Sequence, residues 1–79
     1  MVKATVDELE RALLSLDRLA AETILMRASQ TWPPEQLVDY VVTPTLERIG
    51  AAWEQGDVAL SQIYMSGRIC ESLVDTLLP

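Results

Sequence analysis

Apolar residues recur along this chain at intervals of three and four, broken wherever a proline, a glycine or a capping residue intervenes. Val6, Leu9, Leu13 and Leu16 form the first row, with Glu8, Glu10 and Arg11 off it. That spacing puts the row on one face of a helix. Thr5-Val6-Asp7-Glu8 reads as a capping box, so the first helix is predicted to start at Thr5 with Glu8 reaching back. Asp17 is the expected cap of a second helix running to about Gln30, with Ala21, Ile24, Leu25 and Ala28 inward. Only a tight turn at Leu16-Asp17 separates the two.

Thr31-Trp32-Pro33-Pro34 ends the second row. Proline suits a helix's first turn and not its interior, so a third helix is predicted from Pro34 or Glu35. Val38, Val42, Leu46, Ile49 and Trp53 supply its stripe, which Leu37 and Val41 widen. Pro44 falls inside this helix and is expected to kink it, leaving the Tyr40 carbonyl without its partner. Gln55-Gly56-Asp57 closes the helix, with Gly56 suited to a left-handed terminal position. A short extended link, Val58-Ala59-Leu60, is expected to lead to Ser61 as the cap of a fourth helix. The inward set there is Ile63, Ser66, Gly67, Cys70, Leu73, Val74 and Leu77. No alternating β-branched run or Asn-Gly turn competes with this reading. The expected fold is all-α: a single domain over residues 1–79, a four-helix bundle with a proline-kinked third helix.

Length and composition narrow what such a bundle can do. A 79-residue chain of this kind buries only about 60% of the surface its unfolded form exposes, which leaves little room for a deep enzyme pocket. Hydrophobic residues make up 49% of it, enough to fold and to leave an apolar face uncovered. The net charge of −6 and the lack of a basic stripe argue against nucleic acid as a partner. There is no signal peptide and no apolar run of membrane length, so no membrane is expected and the location is expected to be cytoplasmic. The sequence has no histidine, which removes any His-based triad or zinc–histidine site. Its glycines, Gly50, Gly56 and Gly67, are too scattered for a phosphate loop. Cys70 has apolar neighbours and reads as a small buried hydrophobe. The carboxylates show no spacing that implies acid–base work or a metal, so no catalytic or metal-ligating residue is assigned.

The segment Ile49-Gly50-Ala51-Ala52-Trp53-Glu54-Gln55-Gly56-Asp57-Val58-Ala59-Leu60-Ser61-Gln62 resembles one narrow family. Together with Asp17, Pro33-Pro34-Glu35, Pro44 and the closing Leu77-Leu78-Pro79, it is similar to the helical cap of cobalamin-binding proteins. Methionine synthase, corrinoid methyltransferase proteins and cobalamin-dependent photoreceptor regulators carry such caps. The resemblance implies a bundle that covers the upper face of the corrin and keeps water from the cobalt–carbon bond. It also implies a corrin-binding α/β domain as partner, carrying Asp-x-His-x-x-Gly, of which these residues contain nothing. The chain is therefore expected to be part of a longer protein and not an enzyme alone.

By the same resemblance, Trp53, Ala59, Leu60, Ile63, Tyr64 and Gly67 are the expected cobalamin contacts, with Val58 beside them. For Trp53 the other reading is a core or interface tryptophan. Ser66 and Gly67 are small enough to admit either a corrin or another helix. Trp32 reads as a hinge-packed or exposed aromatic. Photoreceptor-type caps read Gln-Glu-His where this chain reads Gln62-Ile63-Tyr64, which favours a methyl-carrying protein served by methyltransferases. The uncovered face is expected to make the free chain self-associate. A cap of a cobalamin-sensing regulator, or a helical dimerisation module without ligand, are the alternatives.

Overall fold

The computed structural model describes residues 2–77. Leu78 and Pro79, part of the closing motif, lie outside them. Helix α1 spans Val2–Leu14 and α2 spans Arg18–Ala28. Helix α3 is built from three consecutive segments: α-helical Pro34–Leu37, a π-helical turn Val38–Val42, and α-helical Thr43–Glu54. Helix α4 spans Leu60–Leu77. No strand occurs among the described residues. Helix α1 is the hub, touching α2, α3 and α4.

Helix α1 begins at Val2, so Thr5 and Glu8 lie inside it and form no capping box. Lys3 and Ala4 are good helix formers and let the helix run upstream of the expected cap. Val6, Leu9, Ala12 and Leu13 are buried, but Leu16 is 45% exposed and leaves the row. Leu16 has φ +56° and sits in the left-handed position just past the helix end. Its N–H donates to the Leu13 carbonyl at 3.0 Å, and the Asp17 N–H donates to the Ala12 carbonyl at 2.9 Å. This is a Schellman ending made by leucine where glycine is usual. Asp17 then caps α2, its carboxylate accepting the Ala20 N–H at 3.1 Å. One residue thus closes one helix and opens the next. Helix α2 buries Ala21, Ile24, Leu25 and Ala28 as expected and stops at Ala28, short of Gln30. Trp32 packs half-buried against the core beside the prolines.

Pro33 is the N-cap of α3 and Pro34 its first residue. The buried column of this helix is Leu37, Val41, Thr45 and Ile49. Its steps of four cover twelve residues in what must be three turns to stay on one face, whereas an α-helix uses about 10.8. The π turn takes up the excess: the Thr43 N–H reaches back to the Val38 carbonyl. It lies immediately before Pro44, which has no N–H to give to the preceding turn. The expected disruption is therefore a widened turn. It moves Leu46 and Trp53 off the buried face, while Val42 and Ile49 of the expected stripe and the flanking Leu37 and Val41 stay buried. Thr45 stays inside the core because its hydroxyl donates to the Val41 carbonyl at 2.6 Å.

Gly56, at φ +82°, ends α3. Its N–H donates to the Trp53 carbonyl at 3.0 Å, and the Asp57 N–H donates to the Ala52 carbonyl at 2.9 Å. The start of α4 differs from expectation. The helix begins at Leu60, and Ser61 lies within its first turn and does not cap it. The capping side chain is Gln62, whose Oε1 accepts the Ala59 N–H at 2.9 Å while its Nε2 donates to the Leu14 carbonyl at 3.2 Å. This is half of a capping box, turned to hold α4 against the end of α1. Helix α4 buries Ser66, Ile69, Cys70 and Leu73, whereas Ile63, Gly67, Val74 and Leu77 lie at the margin. The Ser66 hydroxyl donates to the Leu13 carbonyl at 3.1 Å, so this small residue meets a helix of its own chain.

Candidate cofactor-facing surface

Two rows of residues on consecutive helices share one spacing. On α3 the row is Leu46, Gly50 and Trp53; on α4 it is Leu60, Tyr64 and Gly67. In each case the steps are four and three, which keeps a row on one helix face. Leu46 is 37% exposed, Trp53 44%, Tyr64 59% and Leu60 66%. Gly50 sits between two of these large side chains, and Gly67 ends the second row. A Cβ built on Gly50 or on Gly67 meets nothing within 4 Å. A glycine within a helix costs about 1 kcal/mol relative to alanine. Neither glycine is required by contacts of this fold, and both leave helix backbone bare beside exposed apolar groups.

The expected contact residues divide accordingly. Trp53, Leu60, Tyr64 and Gly67 lie on these rows. Ala59 is exposed at the head of α4. Ile63 instead packs half-buried against the core, one helix edge away. Val58 is buried and faces inward, so it lies off the exposed rows. Leu46 and Gly50 were not foreseen as part of the face. Their signal was in the sequence, since their spacing to Trp53 is that of Leu60, Tyr64 and Gly67, but a straight helix put Leu46 in the core.

Charged side chains stand beside the rows and past their ends, with Glu71 four residues beyond Gly67. Arg68 follows Tyr64 by one turn, with its Nη1 donating to the Tyr64 hydroxyl at 3.1 Å. Away from this region, Arg48 bridges α3 to α1, donating to Asp7 and, at 3.2 Å, to Glu10. The Arg48 hydrogen bond holds the Asp7 carboxyl below its usual range. Glu8 and Arg27 pair across α1 and α2 at 3.0 Å, an exposed pair of small consequence. Burial raises the Cys70 thiol to about 11, so it stays protonated and inert. Among the described residues no group of three His, Cys, Asp or Glu is placed to hold a metal ion. No helix among them is long and apolar enough to cross a membrane.

Exposed apolar side chains and two helical glycines with open space beside them thus lie on consecutive helices. The fold defines an all-helical domain with exposed apolar residues on two of its helices. Residues 5–78 match the family described as B12 binding domain, and the chain belongs to that family, the helical cap domain of cobalamin-binding proteins. Caps of this family have no catalytic activity of their own and normally pair with a corrinoid-binding domain. No curated protein matches the chain.

Proposed function

We propose that the rows Leu46-Gly50-Trp53 and Leu60-Tyr64-Gly67 together cover the upper face of a cobalamin held by a corrin-binding α/β domain. The pair of uncovered glycines carries this reading. Each lies mid-helix and each has open space where a side chain would go; Gly50 lies between exposed Leu46 and Trp53, and Gly67 follows exposed Tyr64 by one turn. The residues fit the group: a broad macrocycle with an apolar alkyl ligand needs a cover that is low, apolar and free of charge. Bound cobalamin supplies an alkyl–cobalt bond that is sensitive to water and light. The chain's own part is to exclude water, with Trp53 and Leu60 flanking the turn between the two helices and the glycines admitting close approach. Ala59 belongs to the same cover. Ile63 supports it from the core side.

The methyl-carrying class is the one the residues favour. Tyr64 stands where photoreceptor-type caps offer histidine, and the chain has no histidine to coordinate cobalt from above. The domain thus serves as the movable cover of a protein that works with methyltransferases. The test is photolysis of methylcobalamin bound to a corrinoid-binding α/β domain, under fixed illumination, with increasing amounts of this chain. Shielding slows the loss of the alkyl signal and saturates with concentration. A rate independent of the chain at all concentrations would refute the cap reading.

Without its partner the same face is open, and exposed apolar patches seek other surfaces. The isolated chain is therefore expected to self-associate at high concentration in sedimentation experiments, and Trp53→Ser to reduce that association. A strictly monomeric chain would remove this corollary.

A further inference from the structure

Arg68 is the lone basic residue in the stretch 49–79 of an acidic chain. Glu71 stands one turn further along the same helix, yet Arg68 forms no ion pair with it or with any other carboxylate of the described residues. Its guanidinium turns the other way. The Nη1 donates to the Tyr64 hydroxyl at 3.1 Å, and the guanidinium carbon lies 5.9 Å from the centre of the Tyr64 ring. Hydrogen bond and cation–π contact together hold the cation at the edge of the apolar face.

The chemistry of this pair is one-sided. A guanidinium carries five N–H donors and no acceptor. The Tyr64 oxygen already accepts from Arg68, which leaves its own proton to be given outward. The edge of the face therefore presents donors to whatever docks there. A corrin ring is fringed with carboxamide side chains, whose carbonyl oxygens are acceptors.

We propose that Tyr64 and Arg68 form a donor pair that recognises one peripheral carboxamide carbonyl of the docked corrin. The pair fixes the rotational setting of ring against cap, a task the apolar rows cannot perform because dispersion and hydrophobic contact are not directional. Arg68 is a specificity-determining residue for the cap, and Tyr64 serves both as cover and as the support that positions it. This inference rests on the cap reading above.

The experiment measures association of the chain with a corrinoid-binding α/β domain. The domain is loaded with methylcobalamin, or with derivatives in which one rim carboxamide has been hydrolysed to a carboxylate. A carboxylate strengthens hydrogen bonds from a guanidinium, so one derivative is expected to associate about tenfold more tightly than methylcobalamin itself. Arg68→Ala abolishes that gain and weakens association with methylcobalamin about fivefold, the size of a hydrogen bond worth about 1 kcal/mol. Arg68→Lys keeps part of the gain through charge alone, and Tyr64→Phe keeps less than the wild type because the support is gone. Equal association of all derivatives with wild type and Arg68→Ala would overturn the donor pair while leaving the cap reading in place. Failure of the wild-type chain to associate with the loaded domain at all would overturn the cap reading itself, and the donor pair with it. Arg68 is exposed, so thermal midpoints of the variants should match the wild type and exclude misfolding as the cause.

Discussion

Replacing Gly50 and Gly67 with alanine separates what the fold needs from what the docking face needs. Each glycine lies within a helix, and an added Cβ meets no atom within 4 Å in either place. Helix propensity then acts alone. Alanine is favoured over glycine by about 0.5–1 kcal/mol, partly because it restricts the unfolded chain. The two sites lie on different helices, so their effects should add to about 1–2 kcal/mol. In a domain of this size each kcal/mol moves the thermal midpoint by about 4–8 °C. The double variant is therefore expected to melt roughly 4–16 °C higher by circular dichroism. The same methyl groups stand on the surface proposed to meet the corrin, so association with the methylcobalamin-loaded domain should weaken. Gly67→Leu, still a good helix former, should prevent that association without unfolding the chain. A lower midpoint for the alanine variants would refute the reasoning, since it would mean that the glycines serve internal packing. A higher midpoint with unchanged association would move the docking face elsewhere.

Other consequences follow from local geometry. Leu16→Gly should raise the thermal midpoint, because a left-handed leucine carries a penalty of about 1 kcal/mol that glycine does not; a lower midpoint would show that the half-exposed side chain contributes more than the strain costs. Cys70 titrates at about 11 in the folded chain against an ordinary 9.0, so the folded state holds its proton longer than the unfolded one. The Cys70 contribution to stability should be constant below pH 9 and fall as the pH rises towards 11, by up to about 2–3 kcal/mol, and urea titrations of Cys70→Ala should lack that part of the slope. Asp7 has the opposite sign. Its carboxyl is held below 3.8 by Arg48, so the stability it contributes is present above that pH and is lost as the pH falls through its folded value. Asp7→Asn should flatten that acid limb, and an unaltered acid transition would remove Asp7 as its cause.

The features legible in the sequence are those written in local chemistry. Asp17 accepts an amide proton one turn on, Pro33-Pro34 can only begin a helix, and Gly56 is the residue best suited to its positive φ. Each announces itself through its own side chain. Leu16 does not: nothing in a leucine signals a left-handed turn, and it is imposed by the need to close α1 and start α2 within three residues. The cap of α4 was misplaced for a related reason. Ser61 is the better intrinsic cap, but Gln62 satisfies the Ala59 amide and the Leu14 carbonyl together, and the second of these partners belongs to a distant helix. Tyr64 was legible as a contact by resemblance, whereas its pairing with Arg68 emerges only when side chains are placed.

The open face itself traces back to Pro44. A straight α3 would align Val38, Val42, Leu46, Ile49 and Trp53 and turn all five inward, as the spacing suggests. The observed helix keeps Val42 and Ile49 of that set inside and builds its column on Leu37, Val41, Thr45 and Ile49, with strict steps of four that only a widened turn can keep on one side. Each residue added to a turn rotates everything after it by roughly 100° about the helix axis. The π turn before Pro44 therefore carries Leu46, Gly50 and Trp53 together from the core margin to the surface. It does so without a buried polar defect, because the Thr45 hydroxyl is satisfied by the Val41 carbonyl at the turn. A single proline, placed two turns before Gly50, thus links the irregularity of α3 to the exposure of the tryptophan proposed to cover the corrin.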